Sequence, residues 1–127
     1  MSRVGPRDTH PEVTVRKALF SAGFRFRKNV KTLPGSPDIV LAKYRAIVFV
    51  HGCFWHQHPG CRKARRPSSN VSFWDSKFER NIKRDKSKLT ELVNLGWTVF
   101  VIWQCEIDRE PKSTLDKLVS SLSPSQD

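Results

Sequence analysis

The sequence is short of everything a membrane or secreted protein needs. No apolar run among its 127 residues approaches the ~20 needed to cross a bilayer, and the opening Met1-Ser2-Arg3-Val4-Gly5-Pro6 lacks the hydrophobic stretch of a signal peptide. These absences point to a cytoplasmic chain. Cysteine is scarce and odd in number: Cys53, Cys61 and Cys105 cannot make a disulfide framework and better fit a metal site completed by histidine. Acidic residues are few, 12 against 23 Lys and Arg. The resulting charge of +11 and pI near 10.2 favour a polyanion such as nucleic acid, although an acidic membrane surface would also satisfy them. No internal repeat or second domain is visible, so 1–127 reads as one domain burying roughly two thirds of its unfolded surface.

Within that domain, Thr9-His10-Pro11-Glu12 has the form of a helix start: a capping hydroxyl, proline in the first turn, and glutamate placed to reach back. The helix is expected to run to about Ser21 and stop at Gly23. Phe24-Arg25-Phe26-Arg27 then alternates like a half-buried strand with its arginines outward. After the turn Leu33-Pro34-Gly35-Ser36-Pro37, Asp38–Leu41 and Ala46–Val50 read as central strands joined in a hairpin. An irregular loop is expected from His51 to Asn70. Ser72 would cap a long helix with Trp74, Phe78, Ile82, Leu89, Leu92 and Val93 inward until Gly96 ends it, and Lys77, Asn81 and Asp85 form a second row. Trp97–Trp103 reads as a third central strand, parallel to a neighbour because a helix carries the chain back. A last helix near Ser113–Leu122 precedes the polar tail 123–127.

The chemistry concentrates in His51-Gly52-Cys53-Phe54-Trp55-His56-Gln57-His58-Pro59-Gly60-Cys61. Cys53, His58 and Cys61, joined by Cys105 from the end of the last strand, supply the four soft donors of a closed, tetrahedral structural zinc site. The alternative is that the thiols are incidental and Cys105 is a small buried hydrophobe. Asp38 and His51 should emerge at one end of adjacent strands. A carboxylate with a backbone carbonyl there suits magnesium beside a phosphodiester, although Asp after Pro is also ordinary turn chemistry. A loop histidine such as His51 or His56 is commonly solvated, yet near a metal-bound water it can act as a general base. Phe54, Trp55 and Trp74 are either core or, beside Arg62, Lys63, Arg65, Arg66 and Lys77, wedges against bases whose phosphates the cations hold. Arg80, Lys83, Arg84, Lys86 and Lys88 read mainly as a solvated face.

Taken together, Arg7–Glu12, Leu33–Asp38, His51–His56, Phe73-Trp74, Arg84-Asp85 and Leu95-Gly96-Trp97 through Trp103-Gln104-Cys105 resemble the very short patch repair (Vsr) endonucleases. These are DNA mismatch endonucleases of the PD-(D/E)XK-like superfamily, and the likeness spans almost the whole chain. It implies an α/β fold: a single three-layer restriction-endonuclease-like domain, its central mixed sheet flanked by helices, with a structural zinc site. The activity implied is a magnesium-dependent nick of one strand, 5′ to the thymine of a T:G mismatch in double-stranded DNA. Such a mismatch arises by deamination of 5-methylcytosine.

By motif position the resemblance makes Asp38 the magnesium ligand, assisted by the Val50 carbonyl and serving two ions, and His56 the general base. His51 and Glu12 support the metal-bound waters, and Asp85 orients His56. Cys53, His58, Cys61 and Cys105 match the zinc ligands. Phe54, Trp55 and Trp74 match intercalating aromatics, Lys77 and Asn81 positions near the bases, and Met1 a minor-groove wedge. The resemblance further implies a monomer in the bacterial cytoplasm, nucleoid-associated, with functional links to a cytosine-5 DNA methyltransferase and to mismatch-repair proteins.

Three departures bear on that picture. Phe49-Val50-His51 stands where the superfamily has acidic-x-lysine, Gln104 replaces an expected glutamate, and the arm 1–10 is short. A relaxed or restriction-like nickase and a zinc-stapled DNA-binding module without catalysis are the competing readings. Intact Glu12, Asp38, His51 and His56 argue against the second, and aromatic wedges, wasted on a stiff duplex, against the first.

Overall fold

The structure, a computed structural model, describes residues 10–122; Met1, the rest of the arm before His10, and the tail 123–127 lie outside the described residues. Helix α1 (His10–Ser21) is followed by strands β1 (Arg27–Lys28), β2 (Ile39–Leu41) and β3 (Ala46–His51). Helix α2 (Val71–Asn94) leads to β4 (Thr98–Trp103), α3 (Gln104–Arg109) and α4 (Pro111–Leu122). The sheet order is β1-β2-β3-β4, with β1, β2 and β3 antiparallel in turn and β4 parallel to β3.

The period of two along a strand sorts side chains between the two faces. Ile39 and Leu41 of β2 and Ala46, Val48 and Val50 of β3 share one core with Val15, Leu19, Ile107, Leu118 and Leu122 of α1, α3 and α4. Val40, Ile47 and Phe49 pack on the opposite face with Leu92 of α2. Helices therefore cover both faces, and every residue of β3 is buried. The antiparallel β2–β3 hairpin turns through Ala42–Tyr44 in one 3-10 turn, with Arg45 left-handed at φ 51°. Its geometry brings the start of β2 and the end of β3 to the same edge.

Several expectations are corrected. The Phe24–Arg27 alternation holds in burial, with Phe24 inside and Arg25 and Arg27 outside, but the ladder is confined to Arg27–Lys28 because its partner β2 is only three residues long. β4 is an edge strand rather than a central one, half-buried along most of its length. Ser72 does not cap α2. Asn70 occupies that position in a left-handed conformation without a side-chain cap, and Ser72 lies within the helix. Val93 points outward at 51% exposed, leaving Leu92 to fill the core. Glu12 is buried beside the Asp38 carboxyl, and the Thr9 cap that it was expected to reach lies outside the described residues. The short α3 was not anticipated; Glu106 Oε1 accepts the Trp103 backbone N–H at 2.8 Å and secures its first turn.

Gly23 and Gly96 do end their helices. At α2, Gly96 N–H donates to Val93 O and Trp97 N–H to Leu92 O, the paired bonds of a Schellman turn, and this needs the left-handed φ of 97° at Gly96. An added Cβ at Gly96 would sit 3.2 Å from the Arg45 guanidinium, which donates to Leu95 O and covers the Trp97 ring. Gly23 has the same backbone requirement and open space around it. Gly96→Ala is therefore expected to cost about 1–2 kcal/mol and more than Gly23→Ala, read as urea midpoints at unchanged slope.

Candidate active site and metal centre

Asp38 immediately precedes β2, and its Oδ2 accepts the Val50 N–H at 2.7 Å, so the carboxyl is fixed against the last turn of the neighbouring strand. Val50 thus presents its amide to Asp38 and keeps its carbonyl at the same strand end. Burial pushes the Asp38 carboxyl up to about 8. The Val50 hydrogen bond opposes that rise, the neighbouring Glu12 carboxyl adds to it through charge and hydrogen bonding, and Arg16 opposes it. Two carboxyls thus share a desolvated pocket, an arrangement that retains a proton unless a cation arrives. Hard oxygen donors in that state fit a divalent ion such as magnesium.

One residue beyond Val50, His51 ends β3 on the α2 side of the sheet. Its ring stacks on that of His56 at 3.9 Å and 7°, and His56 Nδ1 meets Asp85 Oδ2 at 2.6 Å. The expected row on α2 explains the pairing: Asp85 lies two turns beyond Lys77 and one beyond Asn81, on the face turned toward the loop. Burial first, then the nearby His56, holds the His51 imidazole down to about 3, with Asp85 opposing, so that ring is neutral. The Asp85 contact fixes the orientation of His56 and leaves its Nε2 as the basic edge.

Beyond this centre, Cys53, His58, Cys61 and Cys105 place their ligand atoms within 4.8 Å of one another. His58 Nδ1 is 3.4 Å from Cys105 Sγ and 3.7 Å from Cys53 Sγ, and the His58 ring stacks on Trp103 at 4.2 Å. Cys105 arrives on the first turn of α3, where its amide donates to Cys53 Sγ. Burial pushes the Cys53 thiol up to about 12 and raises that of Cys105, since crowded buried thiolates need a compensating cation. Gln104 has a local use as well: its Oε1 accepts the Cys53 N–H at 3.4 Å, a role for which a carboxylate is not required.

The aromatics gather on the α2 side of the loop. Phe54 makes edge contacts with Trp55, Trp74 and the buried Phe78, and Trp74 stacks on Phe78 at 5.6 Å. Phe54, Trp55 and Trp74 are all half-buried. Phe73 adjoins Trp74 and is 59% exposed, which adds a ring to this face. Asn81 is buried and its Nδ2 donates to Trp55 O at 3.4 Å, so it carries the backbone of the aromatic loop. Lys77 is half-buried on the same row.

A strap that the sequence reading missed holds this loop. Gln57, at φ 49°, donates from Nε2 to Phe54 O at 2.8 Å and to Ala64 O at 3.0 Å, while its Oε1 accepts from Arg66 Nε at 2.8 Å. Arg66 continues to Asp75 at 2.9 Å and Glu79 at 3.4 Å and lies over Phe78. Arg66 was expected among phosphate-holding cations; its guanidinium is engaged internally instead. The signal was Asp75 and Glu79, spaced one turn apart near the start of α2. Lys63 likewise approaches Asp108 at 3.7 Å, while Arg62 and Arg65 are exposed.

Fold and site together define an α/β protein carrying two separate polar centres at one sheet end: a carboxylate–histidine centre and a Cys3His cluster able to hold a metal. Comparison with known sequences places it further. A sequence profile described as DNA mismatch endonuclease Vsr matches residues 1–63. The type II nicking enzyme V.NmeAIP of Neisseria meningitidis serogroup A is 45% identical across 96% of this chain and 88% of its own. V.XorIIP of Xanthomonas oryzae pv. oryzae is 49% identical across 84% and 78%. The DNA mismatch endonuclease Vsr of Escherichia coli K12 is 36% identical across 96% and 78%. The chain belongs to the Vsr family.

Because Gln57 and Arg66 tie the aromatic loop to α2, Arg66→Ala is expected to lower stability by about 1–3 kcal/mol. Amide exchange should accelerate in residues 54–66 while α4 keeps its protection. Uniform acceleration across the chain would show that Arg66 supports the whole fold and not this loop.

Proposed function

We propose that this protein is a magnesium-dependent DNA endonuclease that nicks one strand 5′ to the thymine of a T:G mismatch. The observation that carries the reading is the convergence at one strand end of Asp38, received by the Val50 amide, with His56 oriented by Asp85. Asp38 and the Val50 carbonyl would hold magnesium, with Glu12 and His51 supporting its waters; when bound, the metal supplies charge stabilisation at the reacting phosphate. His56, aligned through Nδ1, takes the proton of the attacking water at Nε2. Neutral His51 braces that ring without adding a repelling charge.

Phe54, Trp55 and Trp74 form the wedge. A T:G wobble pair stacks less securely than a Watson–Crick pair, so inserting rings there costs less, and deformability becomes selectivity. Lys77, on the same row of α2, would contact the bases, Asn81 would act by carrying Trp55, and Met1 would take the minor groove. The Cys3His cluster, with four protein ligands and no open position, is a structural zinc site. On this reading residues 1–127 are one restriction-endonuclease-like domain acting as a monomer in the cytoplasm. Its functional links run to a cytosine-5 methyltransferase and to mismatch-repair proteins.

The direct test is cleavage of matched duplexes bearing T:G, U:G, A:C or no mismatch, each strand labelled separately. A single magnesium-dependent nick 5′ to the mismatched thymine is expected. Asp38→Ala and His56→Ala should each lower its rate at least ~1,000-fold while mismatch binding stays within about threefold. Equal cutting of paired DNA would favour a restriction-like nickase, and wild-type binding without cutting an inactive module.

Asp38 also makes stability depend on pH. Its carboxyl takes up a proton on folding because its pKa rises from 3.8 to about 8. The stability so gained is complete below pH 3.8 and is lost as pH climbs toward 8. At pH 8.5 without added magnesium, Asp38→Asn should therefore melt roughly 5 °C or more above the parent. Magnesium should raise the melting temperature of the parent alone, and neither difference should remain at pH 4. An Asp38→Asn variant less stable than the parent at pH 8.5 would contradict this account.

A further inference from the structure

His51, His56 and Asp85 form a second group of potential ligands, each offering an atom within 4.8 Å of the others. The group shares no residue with the cysteine cluster and does not include Asp38. An independent observation points the same way: His51 is 8% exposed, and its Nδ1 is buried with no hydrogen-bond partner among the described residues. A buried imidazole nitrogen without a partner is a ligand position in want of a donor or a cation. The stacked rings set two imidazole edges side by side, and Asp85 adds an anionic oxygen at the His56 edge.

We propose that His51, His56 and Asp85 bind a borderline transition-metal dication such as Zn2+ or Co2+, at a position separate from the magnesium carboxylates, and that its occupancy inhibits the enzyme. Two imidazoles and one carboxylate match those ions, whereas magnesium prefers oxygen ligands throughout. The ion replaces the proton between His56 and Asp85, which leaves to solvent, and a tilt of the stacked rings turns both nitrogens toward it. With His56 held by the metal, its ring is no longer oriented to accept a proton from water. The inhibitory consequence rests on the nuclease reading above; the binding does not.

The test is titration of the intact, zinc-loaded chain with Co2+ in the absence of magnesium, followed by absorption. A second equivalent should bind without thiolate charge-transfer bands, persist in Asp38→Asn, and weaken at least tenfold in both His51→Ala and Asp85→Ala. In the unaltered chain the ring signals of His51 and His56 should broaden selectively, with His10 unaffected, which covers the case of a variant that folds poorly. Absence of a second equivalent, its loss in Asp38→Asn, its retention in both other variants, or thiolate bands alone would each overturn the proposal. Zn2+ added at saturating magnesium should then suppress T:G nicking at least tenfold. If the second ion binds as described and nicking continues at full rate, the role of His56 as base fails and the metal site stands.

Discussion

Burial of β3 on both faces is the constraint from which the polar chemistry hangs. All six of its residues are buried, with Ala46, Val48 and Val50 turned to one helical layer and Ile47 and Phe49 to the other. Such a strand has little freedom to shift, since a slip of one residue would exchange its two faces. Its end is therefore a fixed point. The Val50 amide holds Asp38 there, His51 continues the α2-facing side, and Cys53 follows two residues later with no exposed surface. A mobile loop could carry the same residues without placing a carboxylate, an imidazole pair and a cysteine cluster within one short span of chain.

Electrostatics at this strand end runs against the rest of the molecule. The chain carries +11 overall, yet the groups gathered here are a carboxyl pair, a neutral histidine and crowded thiols. Burial favours the uncharged form of each: Asp38 keeps a proton that water would remove, while the His51 imidazole and the Cys53 thiol are held more firmly in the neutral forms they already prefer. A dication at either centre reverses the carboxyl and thiol cases by supplying the missing charge. His51 differs, because burial already leaves it in the form that coordinates metal. The long-range field of the basic surface would draw a polyanion toward the site, while local desolvation decides which protonation states meet it.

What was legible in the sequence followed from patterns with strong local causes. The β2–β3 hairpin, the long α2 with its glycine stop, the parallel β4 and the set Cys53, His58, Cys61 and Cys105 all emerge from periodicity, turn chemistry and ligand type. Lys77, Asn81 and Asp85 were legible as one row on α2, the resemblance paired Asp85 with His56, and the structure shows that contact. What escaped depends on partners distant in sequence. Glu12 reads locally only as a cap, and it was the family resemblance that joined it to Asp38, beside which the fold places it, whereas Arg66 looks like a phosphate ligand until Gln57, Asp75 and Glu79 enclose it. Helix α3 is six residues long, too short for periodicity to register, and the edge position of β4 depends on which strands pair.

The strap and the aromatic face belong to one argument about cost. Rings that enter a base stack must already be ordered, because each rotamer immobilised during binding subtracts from affinity. Phe54 and Trp74 are pre-packed against Phe78 and Trp55 against both of them, Asn81 carries the Trp55 carbonyl, and Gln57 carries that of Phe54. Anchoring the loop through backbone carbonyls fixes where the rings stand. Cys53, His58 and Cys61, which could hold a metal, bound the same loop on its other side, so Phe54-Trp55 lies between a cysteine cluster and a hydrogen-bonded strap. On the proposed reading, this is how a chain of 127 residues keeps a wedge rigid in a segment with no regular structure beyond one 3-10 turn. The ordering cost is met during folding, and distortion of the mismatched duplex is left as the main expense of recognition.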